Sequence, residues 1–278
     1  MAFSVDVTLA AEAQLYIAPA GIDTPQASCL GCTVEGGAVR AMIEPGTGQK
    51  ILAITPRAAE LRFHYTYDAR AGAYPEAMFR PMPSRFTRAA EALLAEARAI
   101  APDAPPRARA RAIACATAER FTYGHPETRF NDGCDEIPAL GCGMAEGSCV
   151  DINTYFIAAL RAAGIEAGYA VGYFFPAEKG DHCEDAHCWV VTRIDGETAE
   201  WDIAHHLKLG TRDIHPGLNP KPGFRAAVGH SMGLAVPELG IADLKLLSEP
   251  VPVAEARAHQ SAATAIRLRH PAIPRTAA

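Results

Sequence analysis

Three residues in the middle of the chain have the types that thiol-based catalysis requires, namely Cys149, His187 and Asp202. Cys149 stands at the start of a predicted helix, where unpaired backbone N–H groups and the positive end of the helix dipole stabilise a thiolate. A cysteine nucleophile needs such a lowered thiol pKa. A cysteine taken alone is more often a buried structural residue, so the case depends on its partners.

The spacing of His187 and Asp202 indicates that they share one face of a β-hairpin. Asp195-Gly196 is typical of a two-residue hairpin turn, and with that turn Asp202 pairs with Trp189. His187 is then a diagonal neighbour of Asp202, at a Cβ–Cβ distance of roughly 7–8 Å or somewhat less. A carboxylate there can hold one nitrogen of an imidazole while the other nitrogen faces a thiol, as in a catalytic triad. A longer turn or a bulge would break this register.

A helix followed by a sheet must position these residues. Ser148 is the predicted N-cap of the helix, Asp151 completes a capping box, and Gly164 is expected to end the helix. Strands are predicted after it over 168–175, 187–194 and 198–204. The predicted core is therefore a cysteine-bearing helix packed on a sheet that carries the histidine and the aspartate.

The remaining segments predict elements on both sides of this core. Short apolar runs in the first 80 residues predict β-strands at 3–9, 38–43, 51–55 and 60–67. Helices are expected from Ser84, as N-cap, to about Ile100, then to about Phe121, and again near the end of the chain at 252–265. The expected domains are a β-rich domain, a catalytic domain and a tail, at 1–80, 81–265 and 266–278.

The segments GSCVDINTYFIAALRAAGIEAGYAVGYFF, DAHCWVV and AEWDIA resemble the core of the transglutaminase-like superfamily. The resemblance extends over roughly residues 120–240, and more loosely from residue 80. Two positions depart from the family pattern: Gly168 stands where the family often has Arg, and Ile203 where it often has Pro. These departures affect the expected shape of the substrate site and leave the triad intact. The positions that carry it are Gly147, Cys149, Asp151, Arg161, Gly164, Ile165, Gly172, Tyr173, His187, Trp189 and Asp202.

The resemblance implies an α+β, papain-like fold in which the helix bearing Cys149 packs on an antiparallel sheet bearing His187 and Asp202. A small β-rich N-terminal domain precedes such a core in many bacterial relatives. The implied chemistry is that of a cysteine-dependent amide or peptide-bond hydrolase, or an acyl transferase, acting through a thioester. Its substrate would be a peptide or a small amide, with no cofactor and no metal. Hydrolysis and transfer both remain open, as does the oligomeric state.

Two further residues are weaker candidates in this mechanism. Tyr123 or a neighbour could supply a second oxyanion donor beside the backbone N–H of Cys149. Trp189 could shield the thiol–imidazole pair from water, and it could equally be a core tryptophan.

Two alternatives assign other functions to the chain. Gly229-His230-Ser231-Met232-Gly233 has the pattern of a serine-hydrolase nucleophile elbow, but Pro237 and Gly240 interrupt the helix that should follow it. A non-catalytic peptide-binding module on the same fold is the other alternative, and an unreactive Cys149 would favour it.

A structural zinc site is a third alternative. Cys29 and Cys32 have zinc-ligand spacing but no second pair nearby. His205-His206 is interpreted as polarity at the end of a strand rather than as a site. The other residues that could cluster around a metal are Cys134, Cys142, His182, Cys183, His187 and Cys188.

The bulk composition is that of an ordinary globular protein. The 278 residues carry a formal net charge of −6, which argues against a nucleic-acid or anionic-membrane surface. The printed N-terminus lacks a basic segment followed by a long apolar run, so a cytoplasmic location and mostly free thiols are expected.

Overall fold

A computed structural model of the chain describes residues 2–218, 220–255, 257–258 and 264–269. The α-helices in these segments are α1 Glu91–Ala99, α2 Pro106–Ala118, α3 Cys149–Ala162 and α4 Ile203–Lys208. The strands are β1 Ala2–Ala10, β2 Tyr16–Pro19, β3 Ser28–Glu35, β4 Gly37–Ile43, β5 Lys50–Pro56, β6 Glu60–Asp68, β7 Phe121–Tyr123, β8 Ala145–Gly147, β9 Glu166–Pro176, β10 His182–Cys183, β11 Ala186–Ile194, β12 Glu197–Trp201, β13 Gly223–His230, β14 Leu234–Val236, β15 Ile241–Leu244, β16 Val251–Ala254, β17 Arg257–Ala258 and β18 Thr264–Arg269.

Helix α3 packs on an antiparallel sheet with the strand order β12-β11-β9-β13. Its side chains Ile152, Phe156 and Leu160 are fully buried, and their spacing of four residues places them on one face of the helix. Each such side chain contributes roughly 1.5–3 kcal/mol by leaving water. This contact fixes the helix start against the strands that carry the candidate site.

The predicted ends of α3 are confirmed. The backbone N–H of Ser148 donates to Asp151 Oδ2 at 2.9 Å, and the Ser148 hydroxyl donates to the same oxygen at 2.7 Å. At the other end, Gly164 has φ of 77°, a left-handed conformation that glycine adopts without strain. Cys149 is therefore held in the first turn of a well-capped helix.

The predicted hairpin register is also confirmed, because Ile194 pairs with Glu197 and Val190 pairs with Trp201. The third strand was predicted to run to residue 204, and this is wrong. Strand β12 ends at Trp201, and Asp202 caps α4 by accepting a hydrogen bond from the His205 N–H at 2.9 Å. An aspartate in the N-cap position starts a helix, and this local preference ends the strand.

The N-terminal strands β1–β6 belong to two packed sheets, which also contain β10 and β16–β18. Their strand orders are β10-β18-β1-β6-β3 and β17-β16-β2-β5-β4. Alternate residues of β1 and β6, such as Val5 and Phe63, point into one core, which also takes in Tyr173 and Phe175 of β9. The β-rich part therefore packs directly on the sheet that carries the candidate site.

The C-terminal prediction of a helix near 252–265 is wrong for the described residues, since β16 and β17 occupy part of it and 259–263 lie outside them. Part of the predicted tail is also a strand, because β18 pairs with β1 and places Val5 opposite Leu268. Residues 270–278 lie outside the described segments. The predicted domain boundaries remain a prediction.

Helix α1 begins seven residues later than the predicted cap at Ser84. Ser84 instead closes a turn, with its Oγ accepting from the Phe86 N–H at 3.2 Å. The N–H of Ala90 donates to the Ile137 carbonyl at 2.9 Å and holds the backbone at Ala90 extended, so the helix begins only after it. Helix α2 ends at Ala118 rather than at Phe121, because Phe121 starts β7, which pairs with β8. None of the helices in the described segments is both long and apolar enough to span a membrane.

Candidate active site

Cys149 is the first residue of α3 and is 7% exposed. Its thiol faces the Cys188 side chain and the His187 ring. The Cys188 side chain has the largest influence and lowers the pKa of Cys149, burial opposes it, and the positive charge of His187 lowers the pKa further. Together they hold the pKa of Cys149 well below its usual range, so the thiolate is the favoured form.

His187 links Cys149 to Asp202. Its Nε2 donates to Asp202 Oδ2 at 2.8 Å, which leaves Nδ1 to face the thiol. Burial lowers the pKa of His187, but the negative charges of Asp202 and Cys149 outweigh it and raise the pKa to about 9. The geometry therefore favours a thiolate–imidazolium pair at neutral pH.

Asp202 is fully buried and is held from several directions. Besides His187, it accepts from the guanidinium of Arg225 and from the backbone N–H of His205. Burial raises the pKa of Asp202, but the charges of His187 and Arg225 outweigh this and keep it well below its ordinary value. Asp202 is therefore ionised and fixed in place.

Arg225 and His205 are parts of this network that sequence analysis missed. The His205 ring stacks on the His187 ring, with centroids 4.2 Å apart and planes 4° from parallel. Its Nδ1 lies 2.9 Å from Asp202 Oδ2, and burial lowers its pKa to about 4, so it is neutral beside the imidazolium. The interpretation of His205 as strand-end polarity is wrong, because it lies buried in α4.

Trp189 lies beneath Arg225. Its indole N–H donates to the Tyr74 hydroxyl at 3.2 Å, and the Arg225 guanidinium lies 4.9 Å from its ring centroid. The ring is 1% exposed and belongs to a core cluster with Met78 and Phe79. This arrangement matches a core tryptophan that supports Arg225.

Tyr123 lies at the margin of the site, where β7 pairs it with Gly147 of β8. Its hydroxyl is 3.0 Å from His125 Nε2, and the Lys208 ammonium lies 4.3 Å from its ring centroid. The neighbouring charge of Cys149 adds to burial in raising the pKa of Tyr123. Tyr123 is thus close to the sulfur, and its role as an oxyanion donor remains a prediction.

A cavity of about 140 Å³ opens beside the stacked rings of His187 and His205. Lys208 and Asp185 stand on its wall. Burial is the main cause that raises the pKa of Asp185, and the charge of Cys149 raises it further. The cavity therefore reaches the His187 ring from the surface of the molecule.

Ser231 shares two features with a nucleophile elbow. Its φ is 65°, and its Oγ lies 2.9 Å from His230 Nδ1. However, a turn and β14 follow it in place of a helix, and burial lowers the pKa of His230 to about 4, which makes a weak base. These features do not favour the serine-esterase alternative.

The cysteines of the zinc alternative are not arranged as a ligand set. Burial raises the pKa of Cys29 to about 11 and that of Cys32 to about 12, whereas zinc binds thiolates. Among the described residues, one group of three potential ligands lies together: His187, Asp202 and His205. The positive charge of Arg225 on the same carboxylate opposes a cation there.

Residues 95–201 match the family model described as Transglutaminase-like superfamily, which confirms the resemblance found in the sequence. This range includes Cys149 and His187, and Asp202 follows its last residue. None of the curated proteins compared with the sequence matches it.

Solved structures share the fold at low sequence identity. A protein from Cytophaga hutchinsonii, provisionally classed as a cysteine protease, is 14% identical with a TM-score of 0.52, over 97% of this chain and 98% of that one. It shows that the two chains share a fold, and it confirms the predicted α+β class with a β-rich N-terminal region. The periplasmic domain of TgpA from Pseudomonas aeruginosa is 16% identical with a TM-score of 0.40, over 77% of this chain and 92% of that one.

The prediction of a cytoplasmic location is contradicted by the last comparison, since that structural neighbour is a periplasmic domain. The prediction was based on the residues at the printed N-terminus, which do not determine the compartment. We therefore withdraw it.

Proposed function

We propose, for a chain whose residues 95–201 match the transglutaminase-like superfamily, a cysteine-dependent enzyme that acts on amide or peptide bonds. Cys149 is the proposed nucleophile, His187 the proposed acid and base, and Asp202 the carboxylate that orients His187. The observation that supports this most is the connected set of contacts from the Cys149 thiol through the His187 ring to Asp202.

The proposed first half-reaction starts from the thiolate–imidazolium pair. The Cys149 sulfur attacks the amide carbonyl carbon, and the backbone N–H groups at the start of α3 stabilise the oxyanion that develops. His187 then donates its Nδ1 proton to the leaving nitrogen, so the C–N bond breaks and an amine departs. The acyl group remains on Cys149 as a thioester.

In the proposed second half-reaction, neutral His187 removes a proton from the incoming nucleophile. Water gives a carboxylic acid and therefore hydrolysis, whereas an amine gives a new amide and therefore acyl transfer. Asp202 stays ionised throughout, since Arg225 and the His205 N–H stabilise its negative charge. The same three residues serve both outcomes.

Intact-mass spectrometry of wild type and Cys149→Ala tests this function. Each protein is mixed with a panel of peptide, isopeptide and small amide substrates, with and without a primary amine. We expect a transient mass increase equal to the acyl group in wild type alone, and a second, aminated product if transfer occurs. Ser231→Ala should behave as wild type.

Either of two results would contradict the proposal. Turnover by Cys149→Ala would place the chemistry elsewhere. A wild-type Cys149 that neither forms an acyl adduct nor reacts selectively with iodoacetamide at neutral pH would favour the peptide-binding module.

A further inference from the structure

A larger cavity opens beside the first turn of α3 and has a basic lining. Its volume is about 790 Å³, and its cationic side chains are Arg85, Arg129, Lys245 and Arg257. We call this cavity the basic pocket. Two carboxylates, those of Asp132 and Asp243, stand on the same wall, so cations outnumber anions there.

Lys245 connects the basic pocket to the candidate active site. Its ammonium lies 4.0 Å from Asp151 Oδ1, and Asp151 is two residues from Cys149 in the same helical turn. The Asp151 side chain is 1% exposed, so this contact places the Lys245 side chain against the start of α3. The basic pocket therefore lies against the same end of α3 that carries Cys149.

The positive charges of the basic pocket are only partly neutralised by the protein. Arg85 pairs with Asp243 at 2.9 Å, and Lys245 faces Asp151. Asp132 accepts from the backbone N–H of Arg129 at 2.9 Å. Within the described segments, neither the Arg129 nor the Arg257 guanidinium forms an ion pair, so two forked donors remain available to a ligand.

The wall between these cations is an aromatic ring. The Arg85 guanidinium lies 4.7 Å and the Lys245 ammonium 5.9 Å from the ring centroid of Phe86. Burial is the largest cause that lowers the pKa of Lys245, and the positive charge of Arg129 adds to it. Cations that repel one another in a partly dry cavity are stabilised when an anion binds between them.

The local charge is opposite to that of the whole chain. With a formal net charge of −6, the molecule as a whole repels anions, and only a local cluster of cations attracts them. Arg side chains bind carboxylates through two parallel hydrogen bonds. Acidic side chains are the carboxylates that a peptide substrate carries.

We propose that the basic pocket binds the acidic side chains of a peptide whose amide bond lies at Cys149, so that acidic peptides are the preferred substrate class. This inference rests on the proposed function for the site at Cys149. It assigns the contacts with the substrate carboxylates to Arg129 and Arg257.

A binding experiment tests the pocket without requiring turnover. Full-length Cys149→Ala protein is titrated into a fluorescein-labelled tetrapeptide library with two glutamates, and into a matched library with two glutamines. We expect the glutamate library to bind about tenfold more tightly than the glutamine library. This preference should disappear when Arg129→Gln and Arg257→Gln are introduced into the Cys149→Ala protein, because the hydrogen bonds from the guanidinium groups to the peptide carboxylates are lost.

Arg40→Gln is the matched control. Arg40 is exposed on β4, at the opposite edge of its sheet from β17, which carries Arg257. Arg40→Gln removes one positive charge, as each of the two pocket substitutions does, and should leave the preference intact. Glutarate should compete better than inorganic phosphate, and the reverse order would contradict the assignment to carboxylates.

Steady-state kinetics of wild type separates this inference from the proposed function. A Cys149-dependent activity with equal kcat/KM for glutamate and glutamine peptides would overturn the inference alone. Arg-dependent binding of acidic peptides without turnover of any peptide would support the assignment of Arg129 and Arg257 to carboxylate binding and contradict the proposed function. Equal binding of both libraries would overturn the inference.

Discussion

At the scale of single residues, Asp202 is the carboxylate that the other polar groups of the candidate site contact. This one carboxylate contacts the His187 ring, the Arg225 guanidinium and the His205 backbone. Its negative charge is a cause of the raised pKa of His187, and that imidazolium in turn favours the Cys149 thiolate. Removing the charge should therefore affect residues that Asp202 does not touch.

Asp202→Asn keeps the shape of the side chain and removes its charge. We expect kcat/KM to fall on the order of a hundredfold, the size of a general acid–base contribution. Wild-type activity should decline as pH rises through about 9, where His187 loses its proton, and in the variant this decline should begin at lower pH. A pH–rate profile measures both. An unchanged alkaline limb would mean that Asp202 does not act through His187.

Cys188 is the second residue that should influence the nucleophile. Its side chain lies beside the Cys149 thiol and accepts a hydrogen bond from Asn153 Nδ2 at 3.2 Å. We expect Cys188→Ala to raise the pKa of Cys149, because the thiolate loses a donor, and Cys188→Ser to raise it less, because a hydroxyl still donates. The pH dependence of iodoacetamide labelling at Cys149 gives the pKa. Equal values in all three proteins would contradict this role.

The sequence could reveal His187 and Asp202 as a pair because a two-residue turn fixes the register of a hairpin within fifteen residues. It could not reveal Arg225 or His205. Arg225 reaches Asp202 through the pairing of β13 with β9, where Arg225 lies opposite Phe174, and such long-range pairing leaves no local pattern. His205 required knowing that α4 begins after Asp202.

At the scale of elements, capping explains both the success and the failure of the helix predictions. Ser148 and Asp151 cap α3 because the capping box is local and complete. Ser84 has the same chemistry, but a contact from distant Ile137 holds Ala90 extended and delays α1. A cap predicts a helix start only when no remote segment competes for the same backbone.

Ser148→Ala tests the contribution of the α3 cap. We expect the free energy of unfolding to fall by about 1 kcal/mol, since the variant loses the hydroxyl contacts at the helix start. Urea denaturation measures the change, with Ser28→Ala as control, because its hydroxyl makes one surface hydrogen bond to the Arg70 carbonyl. A Ser148→Ala protein as stable as the control would show that the box contributes nothing.

At the scale of the whole molecule, residues distant in sequence close the N-terminal sheet. Strand β18 pairs with β1 and buries Ile266 and Leu268 in the core shared with β9. Periodicity alone could not place it, because the partner of a strand is chosen by the rest of the fold.

A chain that ends at residue 263 should therefore be less stable than one that ends at residue 269. The shorter chain loses two buried aliphatic side chains, which contribute roughly 1.5–3 kcal/mol each. Thermal unfolding of both truncated proteins and of the full chain measures the difference. Equal melting temperatures for the two truncations would show that β18 adds no stability.

The carboxylate that orients His187 is also the cap of α4, so one side chain belongs at once to a helix start and to the candidate site. Unwinding the first turn of α4 would free the His205 amide and release a donor from Asp202 in the same event. The rate at which that single amide exchanges with deuterium therefore reports how often the site loses its arrangement, without any substrate being present.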